Sequence, residues 1–564
     1  MTTLPSLYLG CVISLLPLFC WAQTTTPTPN VKFGQVTEAD FALKPVPNDT
    51  TAEAVVLYES ADSRFEFRNN RIQLITSFFS RIRINKKSGY DQATVDIPLR
   101  GKSTDADYAM SLEGVTYTLQ NGQVTKQKMD KAAIRIENVA DGYRIQKFTL
   151  PGVQEGCIIE YRYVLNMPNV YTPPSWRFQQ SIPVVWSDYK VTIPNFFYHK
   201  VILTGYLPLT VYQSRTVSSQ MSIPGIPDVN ATESHYAMAN APAFRNEPYI
   251  TTAGDYVSKI EFELARVDVP GQLTENYSLN WPDIDQTLLR RESFGGQYKK
   301  APYFRDVATA IKAKYPATDT LGRAVAAYEH VRSTMTWNEK TSMDSDRLKK
   351  VLELKKGDVA DLNFMLIGLL RDLDIDANPL ILSTRDHGRI NETYGLLRKF
   401  NYVVAHLVVG GKDMMLDATD RFVKPGMLPE RALNSTGRLI MPNDQSRFVS
   451  LTPTERDVEA KSASFTLSDE GELTGELTHS YAGYAAVDAR SSYVLRGETL
   501  FVEDVKRKKP SWQIEKAEFT NATNVNLPLS VKYALKIPEA AQVAGDRIYL
   551  NPLLTEGSTE NPFK

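Results

Sequence analysis

Six histidines and three cysteines are the residues of this 564-residue chain best suited to act as bases, nucleophiles or metal ligands near neutral pH. His199, His235, His330, His387, His406 and His479 are dispersed, with no pair at metal-ligand spacing. Cys11 and Cys20 lie in an apolar leader, which leaves Cys157 as the one thiol of a processed chain. An intramolecular disulfide or a cysteine-based metal site is then excluded. Cys157 stands in EGCIIEYRY, an alternating strand pattern with no base nearby, and reads as a small core residue. The compact charged cluster Arg385-Asp386-His387-Gly388-Arg389 could read a carboxylate or a sugar from a loop beside a cleft. Its plainer reading is a solvated turn after a strand. Asp372, Asp374 and Asp376 alternate as calcium ligands can, yet the EF-hand Gly and terminal Glu are absent, so loop solvation explains them. No Walker or dinucleotide glycine pattern, no HExxH and no GxSxG elbow occurs.

The elements that would position any chemistry are clearest from Leu352 to Asp420. A Gly-Asp turn opens a helix whose apolar residues Leu362, Met365, Leu366, Leu369 and Leu370 share one face. Asp358 or Asp361 can cap its first turn. NPLIL is a strand running into the Arg385–Arg389 loop. YVVAHLVV and MMLDATD are two further strands joined by a hairpin at Gly410-Gly411.

This order of turn, helix and three strands, the last ending on an Asp, resembles the transglutaminase-like core shared by transglutaminases, peptide N-glycanases and papain-type thiol enzymes. The resemblance implies a Cys at the helix start, where the dipole favours thiolate, then a His and an Asp from the two later strands. Here those positions hold Val359, Tyr402 (or its neighbour Asn401) and Asp417. A valine cannot be a nucleophile, and a tyrosine near pKa 10 is a poor base at neutral pH. Asp417 is a remnant that could hydrogen-bond Tyr402 or cap the turn into Ala418-Thr419. His406 lies on the Tyr402 strand and on the same face, but roughly 13 Å further along, out of reach.

Upstream, AVVLYES, FEFRNN, RIQLITSFFSRIRI and DQATVDIPLR alternate apolar and polar residues, with turns at Asn69-Asn70 and Lys87-Ser88-Gly89. Asn121-Gly122 between alternating flanks marks a hairpin. AVVLYES, RIRINKKSG, GCIIEYRY and SIPVVWSDYKVTIP, in that order, resemble a domain of uncharacterised function that precedes such cores in secreted bacterial proteins. Helices are expected over WPDIDQTLLRRESF, YFRDVATAIKAKY and TLGRAVAAYEHVRSTMTW, where His330 reads as a surface or half-buried helical residue. Beyond the core, SASFTLSDEGELTGELTHSY and NLPLSVKYALKIP are strand regions.

The expected architecture is multidomain: signal peptide 1–22, an exposed polar lead-in 23–49, an all-β sandwich domain 50–270, an α+β transglutaminase-like (papain-like) core 271–450 and a C-terminal β sandwich 451–564. In the resembling family NPFK would be an internal point, so the last domain is expected to be incomplete. The leader reads as a secretory signal, with an apolar run from Leu7 to Trp21 too short to span a bilayer and Ala22 at the cleavage site. Leu18-Phe19 lacks the small residue that lipidation at Cys20 needs. The mature chain is expected in the periplasm, on the outer cell surface or outside the cell, without a transmembrane segment.

A net charge of −1 gives no reason to expect nucleic acid. No cofactor or metal is expected. The functional expectation is a core without thiol chemistry that binds a peptide, glycopeptide or polysaccharide of the cell envelope. Val359, Asp361, Tyr402 and Asp417 would floor its cleft, and Arg385, His387 and Arg389 would rim it. Two rivals stand beside it. One is a hydrolase built on a non-thiol constellation around Asp417, with Asp361 or His387. The other is a scaffold contacting other envelope proteins.

Overall fold

The computed structural model describes residues 28–553 and residue 561, apart from 43–50, 103–104, 141, 220, 222, 225–228, 277–279, 300–302, 346 and 394. The expected signal peptide, with Cys11 and Cys20, lies outside the described residues. The chain is multidomain and rich in strands. It divides into two compact units: residues to Asn195 with Leu207–Ala243, and Phe196–Tyr206 with everything from Phe244.

The first unit is built on an eight-stranded sheet. Its spatial order is Val211–Ser218, Asn230–Ala241, Val184–Pro194, Ala54–Arg68, Arg71–Ile84, Ile158–Met167, Tyr108–Gln120 and Gln123–Lys128. One neighbouring pair, Ala54–Arg68 with Val184–Pro194, is parallel and the rest are antiparallel. Two of its hairpins sit on the expected turns. Asn69 and Asn70 take φ of 52° and 60°, and Asn121 and Gly122 take 48° and 77°, the left-handed pair that two-residue hairpins require. A second sheet is formed by Thr94–Arg100, Tyr143–Thr149 and Arg135–Ala140. Cys157 is buried as expected of a core residue.

Residues 28–42, expected as an exposed polar lead-in, include no fully buried residue but are anchored to the sheet. Gly34 N–H donates to Glu160 at 2.8 Å, and Arg81 reaches Asp40 at 2.9 Å and the Gln35 carbonyl at 2.8 Å. Phe33, Val36 and Phe41, the last in the short helix α1 (Glu38–Ala42), pack on the Val55–Tyr117–Ile158 cluster. Three apolar side chains among Thr and Pro were enough to hold the segment on the sheet.

The second unit carries the core. Helices α2 (Trp281–Arg290), α3 (Arg305–Lys314), α4 (Thr320–Thr334), α5 (Leu348–Leu354) and α6 (Val359–Asp372) accompany a five-stranded antiparallel sheet. The sheet runs Lys412–Leu416, Tyr402–Val409, Asn378–Leu382, Thr436–Leu439, Arg447–Ser450. One hydrophobic cluster joins the buried faces of α2–α6 to this sheet, with α6 contributing residues on every side. A helix apolar all round is a buried helix, and α6 lies at the centre of the core. His330 on α4 is half-buried and meets Phe304 edge-on at 5.4 Å.

The C-terminal part differs from the expected sandwich. Strands Asp457–Leu467, Leu473–Gly483, Leu529–Ile537 and Gln513–Thr520 form one four-stranded sheet, and a 25-residue helix, α7 (Tyr484–Lys508), covers it where a second sheet was expected. Ala489 and Phe501 from α7 join Leu473, Leu477, Val531 and Leu535 in one cluster. The spacing Ala485, Ala489, Tyr493 was the available signal, weakened by Gly497, whose φ of 83° kinks the helix. Gly483, at φ 56°, makes the turn into α7 where any Cβ would lie 1.8 Å from the Arg456 carbonyl oxygen.

Candidate functional site

The N-terminus of α6 is closed by two aspartates. Asp358 accepts from Asp361 N–H at 3.1 Å and Asp361 accepts from Asp358 N–H at 2.9 Å, a reciprocal capping box. Arg347 bridges both carboxylates at 2.7 and 3.4 Å, and the Ser345 hydroxyl donates to Asp361. Burial pushes the Asp358 carboxyl up, against the Asp361 amide, which pulls it down. Val359 is the first helical residue, and its side chain is fully buried in the core cluster. Where a thiolate would be stabilised by the helix dipole, there is hydrocarbon.

The neighbouring hairpin supplies the other two positions. Ala405 stands opposite Leu416, and carrying that register three residues on sets Tyr402 level with Thr419. The Tyr402 hydroxyl accordingly lies 2.7 Å from Asp417 Oδ2 and 3.1 Å from Thr419 Oγ1. Asp417 also accepts from Thr419 N–H at 3.0 Å, Thr419 Oγ1 at 2.7 Å and Asn363 Nδ2 at 3.1 Å. Asn363, one turn along α6 from Val359, donates to the Val403 carbonyl and accepts from Ala418 N–H, so it stitches helix to hairpin. Asp417 thus does both things anticipated of it: it bonds Tyr402 and caps the following turn.

Arg431 closes this group from outside. Its Nε donates to the Tyr402 hydroxyl at 3.0 Å, Nη2 reaches Thr419 Oγ1, and its guanidinium lies 4.2 Å from the Trp337 ring centroid. Burial, then the Asp417 charge, raise the Tyr402 pKa well above that of a free phenol. Burial draws the Arg431 pKa down, but Tyr402 and Asp417 oppose it and the net direction is up. A neutral phenol donating to a carboxylate and accepting from a cation has no capacity left for general-base work. Sequence spacing pointed to neither Arg431 nor Trp337, since both arrive from segments outside the helix and its hairpin.

Val359, Asp361, Tyr402 and Asp417 are all 0% exposed, so the four positions expected to floor a cleft present no surface. The Arg385–Arg389 loop, expected at a rim, is tied down as well. Arg385 donates to the Leu433 carbonyl at 3.3 Å and to those of Tyr249 and Ile250, each at 3.2 Å. Arg389 N–H bonds Asp255 at 2.8 Å, and its guanidinium bonds the Tyr256 hydroxyl at 3.1 Å. His387 Nδ1 lies 3.0 Å from Ser383 Oγ. Asn401 pairs with Thr384 through both ends of its amide. His406 is buried, bonded to Asp413 at 2.8 Å, and burial lowers its pKa. Asp374 pairs with Lys312 at 2.8 Å, and Asp376 accepts from Asn378. No cluster of His, Cys, Asp or Glu suited to a metal occurs among the described residues.

No family model and no curated protein matches the chain. Solved structures similar to it include one from Parabacteroides distasonis described as a "putative protease", at 12% identity, 86% of this chain, 93% of that one and a TM-score of 0.46. A second, from Cytophaga hutchinsonii, is described as a "putative cysteine protease"; it shares 13% identity over 49% of this chain and 83% of that one, at a TM-score of 0.18. Yeast LTA4 hydrolase with bestatin shares 11% identity over 43% of this chain and 32% of that one, also at 0.18. No helix among the described residues is long and apolar enough to cross a membrane.

Proposed function

We propose that this chain is an exported protein whose transglutaminase-like core no longer performs thiol chemistry, and that it works by binding a peptide or glycan of the cell envelope. The observation that carries the reading is the sealed Tyr402–Asp417 pair. The position of the base is a buried phenol locked between Asp417 and Arg431, and the position of the nucleophile is buried Val359. These side chains stabilise the core, and recognition falls to open surface.

In the first unit, one face of the eight-stranded sheet holds a groove of about 570 Å³ in which Phe33, Tyr58 and Phe79 stand among Asp62, Arg162 and Lys190. Aromatic faces beside paired charges suit the stacking and hydroxyl or amide bonding that sugars and peptides offer. Thermal denaturation of the chain against peptides, peptidoglycan fragments and polysaccharides tests the reading, because a ligand of the folded state raises the midpoint with concentration. A shift lost in Lys190→Ala or Arg162→Ala, both exposed positions, is the expected result. Turnover of a peptide or glycopeptide that disappears in Asp417→Asn would instead favour the hydrolase rival. Absence of any shift would favour the scaffold.

A further inference from the structure

The start of α7 borders a second cavity, of about 180 Å³, within the second unit. Three features meet there. Gly483 is the N-cap of α7 and offers no side chain to cap it, so first-turn N–H groups lack the usual acceptor. Tyr484 N–H alone turns back to the Arg456 carbonyl, at 3.2 Å. Two turns in, Arg490 lines the cavity at 1% exposure, among the largest buried side chains of the protein.

Arg490 has no carboxylate partner among the described residues. Its Nη2 donates to the Asn524 carbonyl at 2.7 Å and also reaches the carbonyls of Leu527 and Asn521. Its Nε has no hydrogen-bond partner among the described residues, and none of the bonds it makes there uses Nη1. A buried guanidinium held only by carbonyl dipoles keeps an uncompensated charge and, at Nε, an orphaned buried donor, a costly arrangement in a folded protein. Burial draws its pKa down, as expected of a cation without a counter-ion. Lys424, also on the cavity, is matched by Glu455 at 2.7 Å, so the unmatched charge is that of Arg490. Apart from Asn526, the remaining side chains on the wall are hydrocarbon, including Met427, Val487 and Leu527.

We propose that this cavity is a binding site for a carboxylate borne on a small branched alkyl group, its oxygens taken by Arg490 and the N-terminus of α7 and its alkyl group by Met427, Val487 and Leu527. The Nε–H of Arg490 can donate to one carboxylate oxygen, and a helix N-terminus adds donors and a favourable dipole. The volume admits one residue-sized group. Two sources share this chemistry: the C-terminal residue of a peptide, and a free short-chain acid. The site is independent of the groove on the first unit and of the reading of the core.

The test is saturation-transfer NMR titration of the full chain with N-acetyl-Gly-Gly-Leu, its C-terminal amide and isovalerate. Saturable binding of at least one carboxylate probe, with a dissociation constant of ~1 mM or tighter, is expected, and the amide should bind at least roughly tenfold more weakly than the acid. Val487→Phe, at a half-buried position, fills the cavity while keeping the Arg490 side chain and should abolish binding. Arg490→Lys keeps the charge and loses the Nε–H donor, and should weaken it. If Arg490→Lys does not fold, Val487→Phe with the acid–amide comparison decides alone. Binding of the peptide acid without isovalerate assigns the site to chain termini, and equal binding of both assigns it to small acids; either supports the site. No saturable binding by either carboxylate at about 10 mM, equal binding of acid and amide, or undiminished binding in Val487→Phe would overturn it.

Discussion

The Tyr402 hydroxyl donates to Asp417 Oδ2 at 2.7 Å with neither side chain exposed to solvent. Tyr402→Phe would leave the Arg431 Nε–H without its acceptor and remove one of four donors to Asp417, and should destabilise the core by about 1–3 kcal/mol. Asp417→Asn keeps an acceptor for Thr419 and Asn363 but turns a donor towards the Tyr402 hydroxyl and removes the buried charge, and should cost more, about 3–5 kcal/mol. In a double-mutant cycle by urea unfolding the two should be strongly non-additive, as residues of one network are.

A thiol at the start of α6 should not be reactive. Placed by Val359→Cys it would lie in the closed core, and Tyr402 on the neighbouring hairpin is a phenol that stays protonated. Native V359C protein should resist iodoacetamide and hydrolyse neither esters nor amides, while denatured protein labels fully. Rapid labelling in the native state would mean that the core opens at α6.

A buried acid in the first unit sets a pH dependence. Glu59 accepts from Ser187 Oγ at 2.6 Å and Gln180 Nε2 at 2.5 Å, and burial pushes its pKa from 4.5 up to about 7. The folded state then binds a proton more tightly than the unfolded state. The stabilisation is complete below about 4.5 and is lost as pH rises through about 7, on the order of 3 kcal/mol in all. The unfolding midpoint of this unit should therefore fall between pH 5 and 8, and Glu59→Gln should flatten that fall. An unchanged profile in E59Q would place the titrating group elsewhere.

The charged loop after Asn378–Leu382 holds a segment distant in sequence. Arg385 bonds the carbonyls of Tyr249 and Ile250, and Arg389 bonds Asp255 and Tyr256. Arg385→Ala should raise amide exchange at Asp255, Tyr256 and Val257, whose N–H groups close the adjoining turn, while global stability changes by about 1 kcal/mol. Unaltered exchange there would show that the turn stands on its own bonds.

The amino-acid sequence by itself determined what is local or a matter of chemical identity. The left-handed pairs Asn69-Asn70 and Asn121-Gly122 need only their own backbone preferences. The apolar period and aspartate cap of α6 need only neighbours three and four residues away, and Val359 excludes a thiol wherever it lies. Tertiary structure decided the rest. Arg431 comes from a segment 29 residues beyond Tyr402 to cover it, and Trp337 comes from before α6. The lead-in is held by Phe33, Val36 and Phe41 against partners more than a hundred residues away as well as near ones. Helix α7 is specified by the sheet it covers more than by its own weakly apolar, Gly-interrupted sequence. Burial is a property of the assembled core, so the spacing that located Tyr402 and Asp417 carried no information on whether they would face a cleft or be sealed beneath an arginine.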